Sequence, residues 1–229
     1  MFDHISETRL LKRSHPLFLP PFQEALFWII NLQEITEEEI ELAKNFLDQD
    51  AIDKSKRLSL QEDKNREIIT NSILRLLLKQ TTKIGLQKIK ILRTEHGKPY
   101  LLDHPVHFNL SHTKNYAFFA IHPKQPIGID IETVQNGDNL LETAEFFLHS
   151  SEKKEIAKGI DPVDKFLSLW CAKEALLKAK GTGFLVDNIP LLELKAASDP
   201  QFDVYVSGNQ EIYVHHKIVE GHKLAVCLC

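Results

Sequence analysis

The sequence predicts an α+β fold made of two similar halves, because the same order of elements occurs twice along its 229 residues. Each half opens with a β-rich run, continues through amphipathic helices and ends in further strand-like runs. We expect an N-terminal α+β half at residues 1–122 and a C-terminal α+β half at residues 123–229, packed about a pseudo-twofold axis. Because pockets favour such interfaces, the residues that carry chemistry should meet in the cleft between the halves.

In the first half, the apolar run Leu26–Leu32 predicts a strand, and Thr36 with Glu39 forms the capping-box signature of a following helix. Between residues 52 and 80, apolar side chains recur at helical spacing with charged residues opposite. Three strand-like runs then predict an antiparallel meander: Lys88–Arg93, Val106–Leu110 and Tyr116–Ile121. The segment before Leu26 carries no pattern that predicts an element.

The second half repeats the order with a strand at Ile127–Glu132, helices near residues 140–148 and 151–158, and a longer helix from Pro162. Asp161 suits its N-cap, Pro162 its first position, and Gly181 the position just past its end. Four strand-like runs complete the half: Leu192–Ala196, Phe202–Val206, Glu211–Ile218 and Lys223–Cys229.

Composition excludes several classes of protein. With 43% hydrophobic and 26% charged residues, the chain has the balance of a globular protein. A formal net charge of −4 gives no general attraction for nucleic acid or anionic membranes. No apolar run reaches the roughly 18 residues of a membrane helix and no signal segment is recognisable, so we expect a cytoplasmic protein. The three cysteines lack CxxC spacing and suggest buried free thiols.

The strand segment Gly128–Glu132 (GIDIE) places two carboxylates on one face, because alternate residues of a strand share a side. Asp130 and Glu132 would lie about 6.6 Å apart and repel each other, so a cationic group should compensate them. They can also be a solvated strand end or pair with lysines. Read alone, the motif leaves both interpretations open.

The long helix carries a polar stripe at helical spacing, made of Trp170, Glu174 and Lys178. Glu174 and Lys178 can be an ordinary surface pair, worth about 0.2–0.5 kcal/mol. Alternatively, Glu174 is a third oxygen ligand for a hard cation and Lys178 contacts a phosphate.

Three further segments offer groups for an anion. Phe108–His112 (FNLSH) ends a strand with Ser111 and His112, and Lys98 lies in a Gly-Lys-Pro turn. A strand end and a turn are the simpler interpretations. The remaining group is a basic cluster that can also be a solvated helical face: Lys54, Lys56, Arg57 and Arg66.

Taken together in this order, the motifs resemble those of 4′-phosphopantetheinyl transferases of the surfactin-synthetase-associated type. The resemblance covers about three quarters of the chain, from the basic helix near Lys54 to Lys178, and rests on GKP at 97–99, FNLSH at 108–112, GIDIE at 128–132 and WCAKEALLK at 170–178. It implies the pseudo-twofold 4′-phosphopantetheinyl transferase fold. It also implies transfer of the phosphopantetheine arm of coenzyme A to a serine of an apo acyl, peptidyl or aryl carrier protein, releasing adenosine 3′,5′-bisphosphate.

The resemblance implies a role for each matching residue. Asp130, Glu132 and Glu174 correspond to acids that bind Mg²⁺ at the pyrophosphate, and Mn²⁺ would suit the same three oxygen ligands. Glu174 would also accept the serine proton, with Lys178 on the pyrophosphate. The other cofactor-binding positions are Lys98 and Ser111 on the adenine and ribose side, and His112, Lys54 and Arg66 near the 3′-phosphate.

One departure affects the basic helix: Glu67 stands where relatives often carry a hydroxyl, and a carboxylate there would repel phosphate. Either Glu67 points away, or the phosphate depends more on His112 and Lys54. The duplicated halves favour a monomer. The competing functions are a metal-dependent nuclease or other phosphotransferase, and a coenzyme A or carrier-binding module without activity. The acidic balance argues against nucleic acid.

Overall fold

The computed structural model describes residues 4–134, 140–158, 160–183, 192–197, 203–215 and 218–229, and these confirm the predicted α+β class. The helices in these segments are α1 (His4–Leu11), α2 (Glu37–Ala43), α3 (Gln49–Lys56), α4 (Gln61–Thr82), α5 (Leu140–Phe147), α6 (Ser150–Ala157) and α7 (Pro162–Lys180). The strands are β1 (His15–Leu17), β2 (Leu26–Asn31), β3 (Ile91–Arg93), β4 (Pro99–Leu101), β5 (His107–His112), β6 (Tyr116–His122), β7 (Ile127–Thr133), β8 (Lys195–Ala197), β9 (Asp203–Ser207), β10 (Gln210–His215) and β11 (His222–Leu228).

The first half is an antiparallel sheet in the order β1-β2-β6-β5, covered by the long helix α4. Buried Ile73 and Leu77 of α4 share one core with Phe119 and Ile121 of β6. The predicted capping box is present, because Thr36 and Glu39 bond each other's backbone at the start of α2. This core fixes β6 and its neighbour β5, which contains the FNLSH segment.

The second half is a sheet in the order β7-β11-β10-β9-β8 with α7 across one face. Asp161 caps α7 by accepting a hydrogen bond from the backbone N–H of Asp164 at 2.9 Å, and Pro162 occupies the first turn. The helix ends at Gly181, whose φ of +69° suits glycine. The predicted N-cap, first-turn proline and C-terminal glycine of α7 are therefore confirmed.

The two sheets pack face to face through a third core, to which Phe27 and Phe118 contribute from the first sheet and Ile129, Ile131 and Val226 from the second. As predicted, Ile129 and Ile131 take the apolar face of β7, which leaves Asp130 and Glu132 on the side toward α7. Edge strand β5 lies beside edge strand β7. Residues of the two halves therefore come together along this seam.

The predicted three-stranded meander is wrong in its first strand, whereas the antiparallel pairing of its second and third strands is confirmed. Strand β3 is short and pairs only with β4, because the chain reverses at Gly97, whose φ is +83°. Lys88, predicted as the first residue of this strand, lies in a 3₁₀ turn at Leu86–Lys88 instead. Strand β6 pairs with β2 and β5, joining the start of the half to its end.

Other predicted bounds also differ. The helical pattern at 52–80 is interrupted after residue 56, and the turn lets α3 pack back against α4. The helix α1 and strand β1 occupy the segment in which no element was predicted. Residues 192–194 are not in a strand, whereas Phe202, His216 and Lys217 lie outside the described residues. In the described segments, no helix combines the length and apolar composition needed to cross a membrane.

Candidate active site

Gly128 allows α7 to approach β7 closely. A Cβ atom at this position would lie 2.0 Å from the carbonyl oxygen of Ala175 and 2.2 Å from the backbone nitrogen of Ala179, which no side chain permits. Because Glu174 and Lys178 are one turn apart on this part of α7, the close approach brings both side chains to the carboxylates of β7. Gly128, the first residue of the GIDIE motif, thus positions Glu174 and Lys178 of the WCAKEALLK motif.

Asp130 is the centre of the cluster and is only 3% exposed. Its Oδ1 atom accepts a hydrogen bond from Ser111 Oγ at 2.7 Å and another from Lys178 Nζ at 2.6 Å. Lys178 Nζ also lies 3.1 Å from Ser111 Oγ. Side chains from β5, β7 and α7 therefore meet at one carboxylate, which joins the first half to the second.

The other two carboxylates lie beside Asp130 and repel its charge. Glu132 accepts a hydrogen bond from Trp170 Nε1 at 2.8 Å. Burial, followed by the charge of Asp130, raises the pKa of Glu132 to about 7, although the Trp170 bond opposes the shift. Burial also raises the pKa of Glu174 to about 7; Lys178 opposes this shift, and the charges of Asp130 and Glu132 add to it.

Lys178 is the cation that the paired carboxylates require. Burial would lower its pKa, but the charges of Asp130 and Glu174 outweigh burial and hold the pKa above its usual value. Its Nζ atom lies 2.6 Å from Asp130 and 3.8 Å from Glu174 Oε2. One ammonium thus serves a cluster of three carboxyl groups, and its charge does not offset the burial and mutual repulsion that raise the pKa values of Glu132 and Glu174.

The donor set fits a hard divalent cation, for which carboxylate oxygens are the preferred ligands. Asp130 Oδ2 is buried and has no hydrogen-bond partner in the protein, which leaves one oxygen without compensation. Across the described segments, however, no three Asp, Glu, His or Cys side chains already form a metal-binding arrangement. The Lys178 amine lies between two of the carboxylates, so all three acids would become ligands only if these side chains rearranged.

A pocket of about 260 Å³ adjoins the cluster along the seam between the halves. Glu174 and Lys178 line one side, and the turn that contains Lys98 lines the other. The Lys98 amine does not point freely into the pocket: it donates to the carbonyl oxygens of Ala179 at 2.6 Å and Ile127 at 3.4 Å. Burial lowers the pKa of Lys98. This side chain therefore ties the turn to the end of α7.

The predicted basic positions lie on the other side of His112. The pKa of His112 is lowered, first because neighbouring protein atoms displace water from the ring and then by the charge of Arg66. Lys54 Nζ lies 2.6 Å from Glu67 Oε1, so Glu67 does not point away from the basic residues. Arg66 pairs with Asp63. Lys54 and Arg66 are thus each already paired with an acidic side chain.

A larger groove of about 880 Å³ lies near the other end of β7, with Phe22, His122 and Tyr213 among its lining residues. It contains none of the predicted site residues. Since it lacks a carboxylate cluster with an unsatisfied oxygen, we place the candidate site at the smaller pocket rather than at the larger one.

The structure therefore brings Ser111, Asp130, Glu132, Glu174 and Lys178 together, with Lys98 bordering their pocket. Lys54, Arg66 and His112 form a separate basic edge.

Sequence reasoning gave no role to Asn109, whose side-chain oxygen accepts the backbone N–H of Ile129 at 3.0 Å and fixes β7 next to Asp130. Its position two residues before Ser111, on the same strand face, was the available signal. The role of Gly128 as the point of close helix approach was missed as well.

Comparisons with known proteins agree with the motifs. A family model described as the 4′-phosphopantetheinyl transferase superfamily matches residues 126–228, and one described as 4′-phosphopantetheinyl transferase, N-terminal, matches residues 34–124. The chain is 29% identical to the 4′-phosphopantetheinyl transferase Sfp of Bacillus subtilis over 200 residues, or 84% of this chain and 87% of that one.

Two further relatives are 30% identical to the chain. The 4′-phosphopantetheinyl transferase gsp of Aneurinibacillus migulanus matches over 172 residues, covering 72% of this chain and 69% of that one. The 4′-phosphopantetheinyl transferase HetI of a Nostoc species matches over 167 residues, covering 70% of each. The chain therefore belongs to the 4′-phosphopantetheinyl transferase superfamily and is an enzyme that transfers the phosphopantetheine group, as its four motifs predicted.

Proposed function

We propose that the chain transfers 4′-phosphopantetheine from coenzyme A to a serine of an apo acyl, peptidyl or aryl carrier protein, releasing adenosine 3′,5′-bisphosphate. The observation that carries this proposal is the meeting of Ser111, Asp130 and Lys178 at the seam between the halves, beside a pocket lined by Glu174. We further propose that residues 1–122 and 123–229 are the two structural units, and that the enzyme works as a monomer.

Phosphoryl transfer depends on in-line positioning and on neutralising charge more than on covalent catalysis. In the proposed reaction, the serine oxygen bonds to the pyrophosphate phosphorus that bears the pantetheine arm, and the bond from that phosphorus to the bridging oxygen breaks. Glu174 receives the serine proton, directly or through water. Lys178, which lies close to Glu174, stabilises the charge that develops on the departing bisphosphate.

Asp130, Glu132 and Glu174 are the proposed ligands of Mg²⁺, with Mn²⁺ as the other candidate. The buried Asp130 Oδ2, which has no hydrogen-bond partner, supports this assignment. The cation would polarise the pyrophosphate oxygens as a Lewis acid. Ser111 and Trp170 hold two of these carboxylates in place through hydrogen bonds of 2.7 and 2.8 Å.

The remaining cofactor contacts are proposed at the edges of the site. Lys98 and Ser111 are proposed on the adenine and ribose side, because the turn of Lys98 borders the pocket. His112, Lys54 and Arg66 are proposed near the 3′-phosphate. Because Glu67 and Asp63 already pair with the two helical cations, an anion there must compete with these acids.

The decisive experiment incubates the protein with coenzyme A, Mg²⁺ and separate apo acyl, peptidyl and aryl carrier proteins, and then measures intact carrier mass. We expect a phosphopantetheine-sized gain on at least one carrier, lost when its acceptor serine is changed to alanine. A chelator should abolish the gain, and Mg²⁺ in excess should restore it. Binding of coenzyme A without any gain on any carrier would instead favour a binding module.

The role of Glu174 is tested with Glu174→Gln, which keeps the shape of the side chain but removes the base and the charged ligand. Transfer should fall by about 10²- to 10⁴-fold while most coenzyme A binding remains. The matched control is Glu155→Gln, because Glu155 forms an exposed pair with Lys158 at 3.3 Å on α6. If Glu174→Gln turned over at the rate of this control, both proposed roles of Glu174 would be excluded.

A further inference from the structure

The strand β7 is an edge strand, so half of its backbone groups need partners outside its own sheet. Its neighbour in that sheet is β11 alone. Where this ladder ends, the Val134 N–H donates to the Gly221 carbonyl at 2.7 Å, and in an antiparallel pair the same orientation recurs at every second residue. The N–H of Asp130 therefore faces β11, whereas the N–H of Ile129 faces away from it.

The N–H of Ile129 is buried, because Ile129 is completely inaccessible to solvent. A buried N–H without an acceptor is costly, and no strand lies on this side of β7 to supply a carbonyl. The acceptor is the side-chain oxygen of Asn109, at 3.0 Å. Asn109 is itself only 4% exposed, so this side chain takes the place of a neighbouring strand.

The strand β5 presents two polar side chains to β7. Phe108 packs into the core under α4, and alternation along the strand places Asn109 and Ser111 on the opposite face. Asn109 holds the backbone of Ile129, and Ser111 holds the carboxylate of Asp130 at 2.7 Å. Because adjacent strand residues lie about 3.3 Å apart, a slip of β7 by one residue would break both contacts.

We propose that Asn109 is a positioning residue of the transferase, whose side-chain oxygen fixes the register of β7 against β5 and so holds Asp130 where Ser111 and Lys178 meet it. The inference rests on the proposed function, in which Asp130 is a metal ligand. Asn109 acts through Asp130 and is not itself a ligand. Loss of its oxygen should weaken Mg²⁺ binding by about 10- to 100-fold, as is typical of groups that orient metal ligands.

Asn109 also lines the pocket beside Glu174 and Lys178, so a direct contact with coenzyme A is the competing explanation for any loss of activity. Mg²⁺ binding in the absence of coenzyme A separates the two roles. A contact with coenzyme A would leave this affinity unchanged, whereas a positioning role would lower it together with the rate of transfer.

The test compares Asn109→Leu, which keeps a branched side chain but lacks the acceptor, with Asn109→Asp, which keeps an acceptor oxygen in either protonation state. Calorimetry measures Mg²⁺ affinity without coenzyme A, and carrier mass measures transfer. Asn109→Leu should lose both, and Asn109→Asp should recover most of both. If Asn109→Leu does not fold, Asn109→Ser replaces it, because its shorter side chain stops short of Ile129 and leaves room for water.

Hydrogen exchange of single amides, measured by NMR on the isotopically labelled full-length protein, tests the contact itself. The Ile129 amide should exchange about 10-fold faster or more in Asn109→Leu than in the wild type. The Asp130 amide should stay protected in both proteins, because it faces β11. Loss of protection at both amides would indicate that β7 has separated from its own sheet, and would overturn a role confined to register.

The matched control is Ser72→Ala, which also removes one buried hydrogen bond to the backbone. Ser72 Oγ donates to the Ala43 carbonyl at 2.7 Å within the first half, away from the seam. This variant should melt at a lower temperature but bind Mg²⁺ as the wild type does. A wild-type protein that binds no Mg²⁺ would contradict the proposed function itself. Wild-type Mg²⁺ affinity in Asn109→Leu would instead contradict only the role of Asn109.

Discussion

The two sides of the candidate site balance their charges in opposite ways. On the β7 and α7 side, Asp130, Glu132 and Glu174 share the single ammonium of Lys178, and two of the acids have pKa values of about 7. On the α3 and α4 side, Lys54 pairs with Glu67, and Arg66 with Asp63. The first side has one positive charge for three carboxyl groups, whereas each cation named on the second side is already paired with an acid.

This difference indicates what each side can accept. A divalent cation would relieve the repulsion between these carboxylates, so the cluster favours cation binding. An anion at the basic edge must displace carboxylates that already satisfy the cations. We therefore expect changes on the carboxylate side to have large effects and changes on the basic side to have small ones.

The largest effect should come from Gly128→Ala, which removes the close approach that creates the carboxylate cluster. The added methyl would meet the Ala175 carbonyl at 2.0 Å, and a helix backbone cannot move aside as a flexible side chain can. We expect a loss of about 3 kcal/mol or more in the free energy of unfolding, measured by urea denaturation.

The control for this substitution is Gly208→Ala, at a turn glycine with φ of +61° and open space around the added methyl. It should cost only about 1 kcal/mol, through backbone strain alone. Equal losses for the two variants would show that the approach of α7 to β7 does not depend on the absence of a side chain.

A second prediction is that Glu174→Gln stabilises the metal-free protein while it lowers the rate of transfer. The folded state raises the pKa of Glu174 to about 7, so its stabilising contribution is complete below the unfolded value near 4.5 and is lost as pH rises through 7. In a chelator at pH 8, the neutral amide should add about 1 kcal/mol, seen as a higher melting temperature; at pH 5 the gain should vanish. A gain that is the same at both pH values would argue against the buried charge of Glu174 as its cause.

A third prediction concerns protons released when a metal binds. Because Glu132 and Glu174 both titrate near pH 7 in the metal-free fold, Mg²⁺ must displace protons at pH 6.5 and far fewer at pH 8.5. The two groups interact, so the release belongs to the cluster rather than to either residue. Isothermal titration in buffers of different ionisation enthalpy measures it. Equal proton release at both pH values would exclude these acids as the ligands.

The sequence predicted features that depend on neighbours along the chain. Asp161 and Gly181 mark the ends of α7 through local backbone chemistry, and alternation along β7 separates Asp130 and Glu132 from the apolar isoleucines. The order of the motifs then identified the family and, with it, the transferase activity. These are short-range signals, which a single sequence retains.

Contacts between distant segments could not be predicted in this way. The Lys98 amine binds a carbonyl 81 positions away, and Asn109 bonds a backbone N–H 20 positions away. Neither contact leaves a periodic or spacing signal. The first strand of the meander was wrong for the same reason, because strand pairing depends on which partner is available in space: β3 pairs with β4 instead of β5, and β6 takes β2 as its second neighbour.

The smallest effect should come from Glu67→Gln on the basic edge. Glu67 Oε1 lies 2.6 Å from Lys54 Nζ, and removing its charge frees that ammonium for an anion. Coenzyme A binding, measured by calorimetry without a carrier protein, should tighten by about threefold, the worth of one partly exposed ion pair. The matched control is Glu62→Gln, because Glu62 lies on the same helix as Glu67 and pairs with the loop residue Lys114 at 3.6 Å. This substitution changes the net charge by the same amount. If both substitutions tightened binding equally, the effect would come from overall charge. If neither did, the Lys54 and Glu67 pair would lie outside the anion site. Only the carboxylate cluster would then be a site at which charge controls ligand binding.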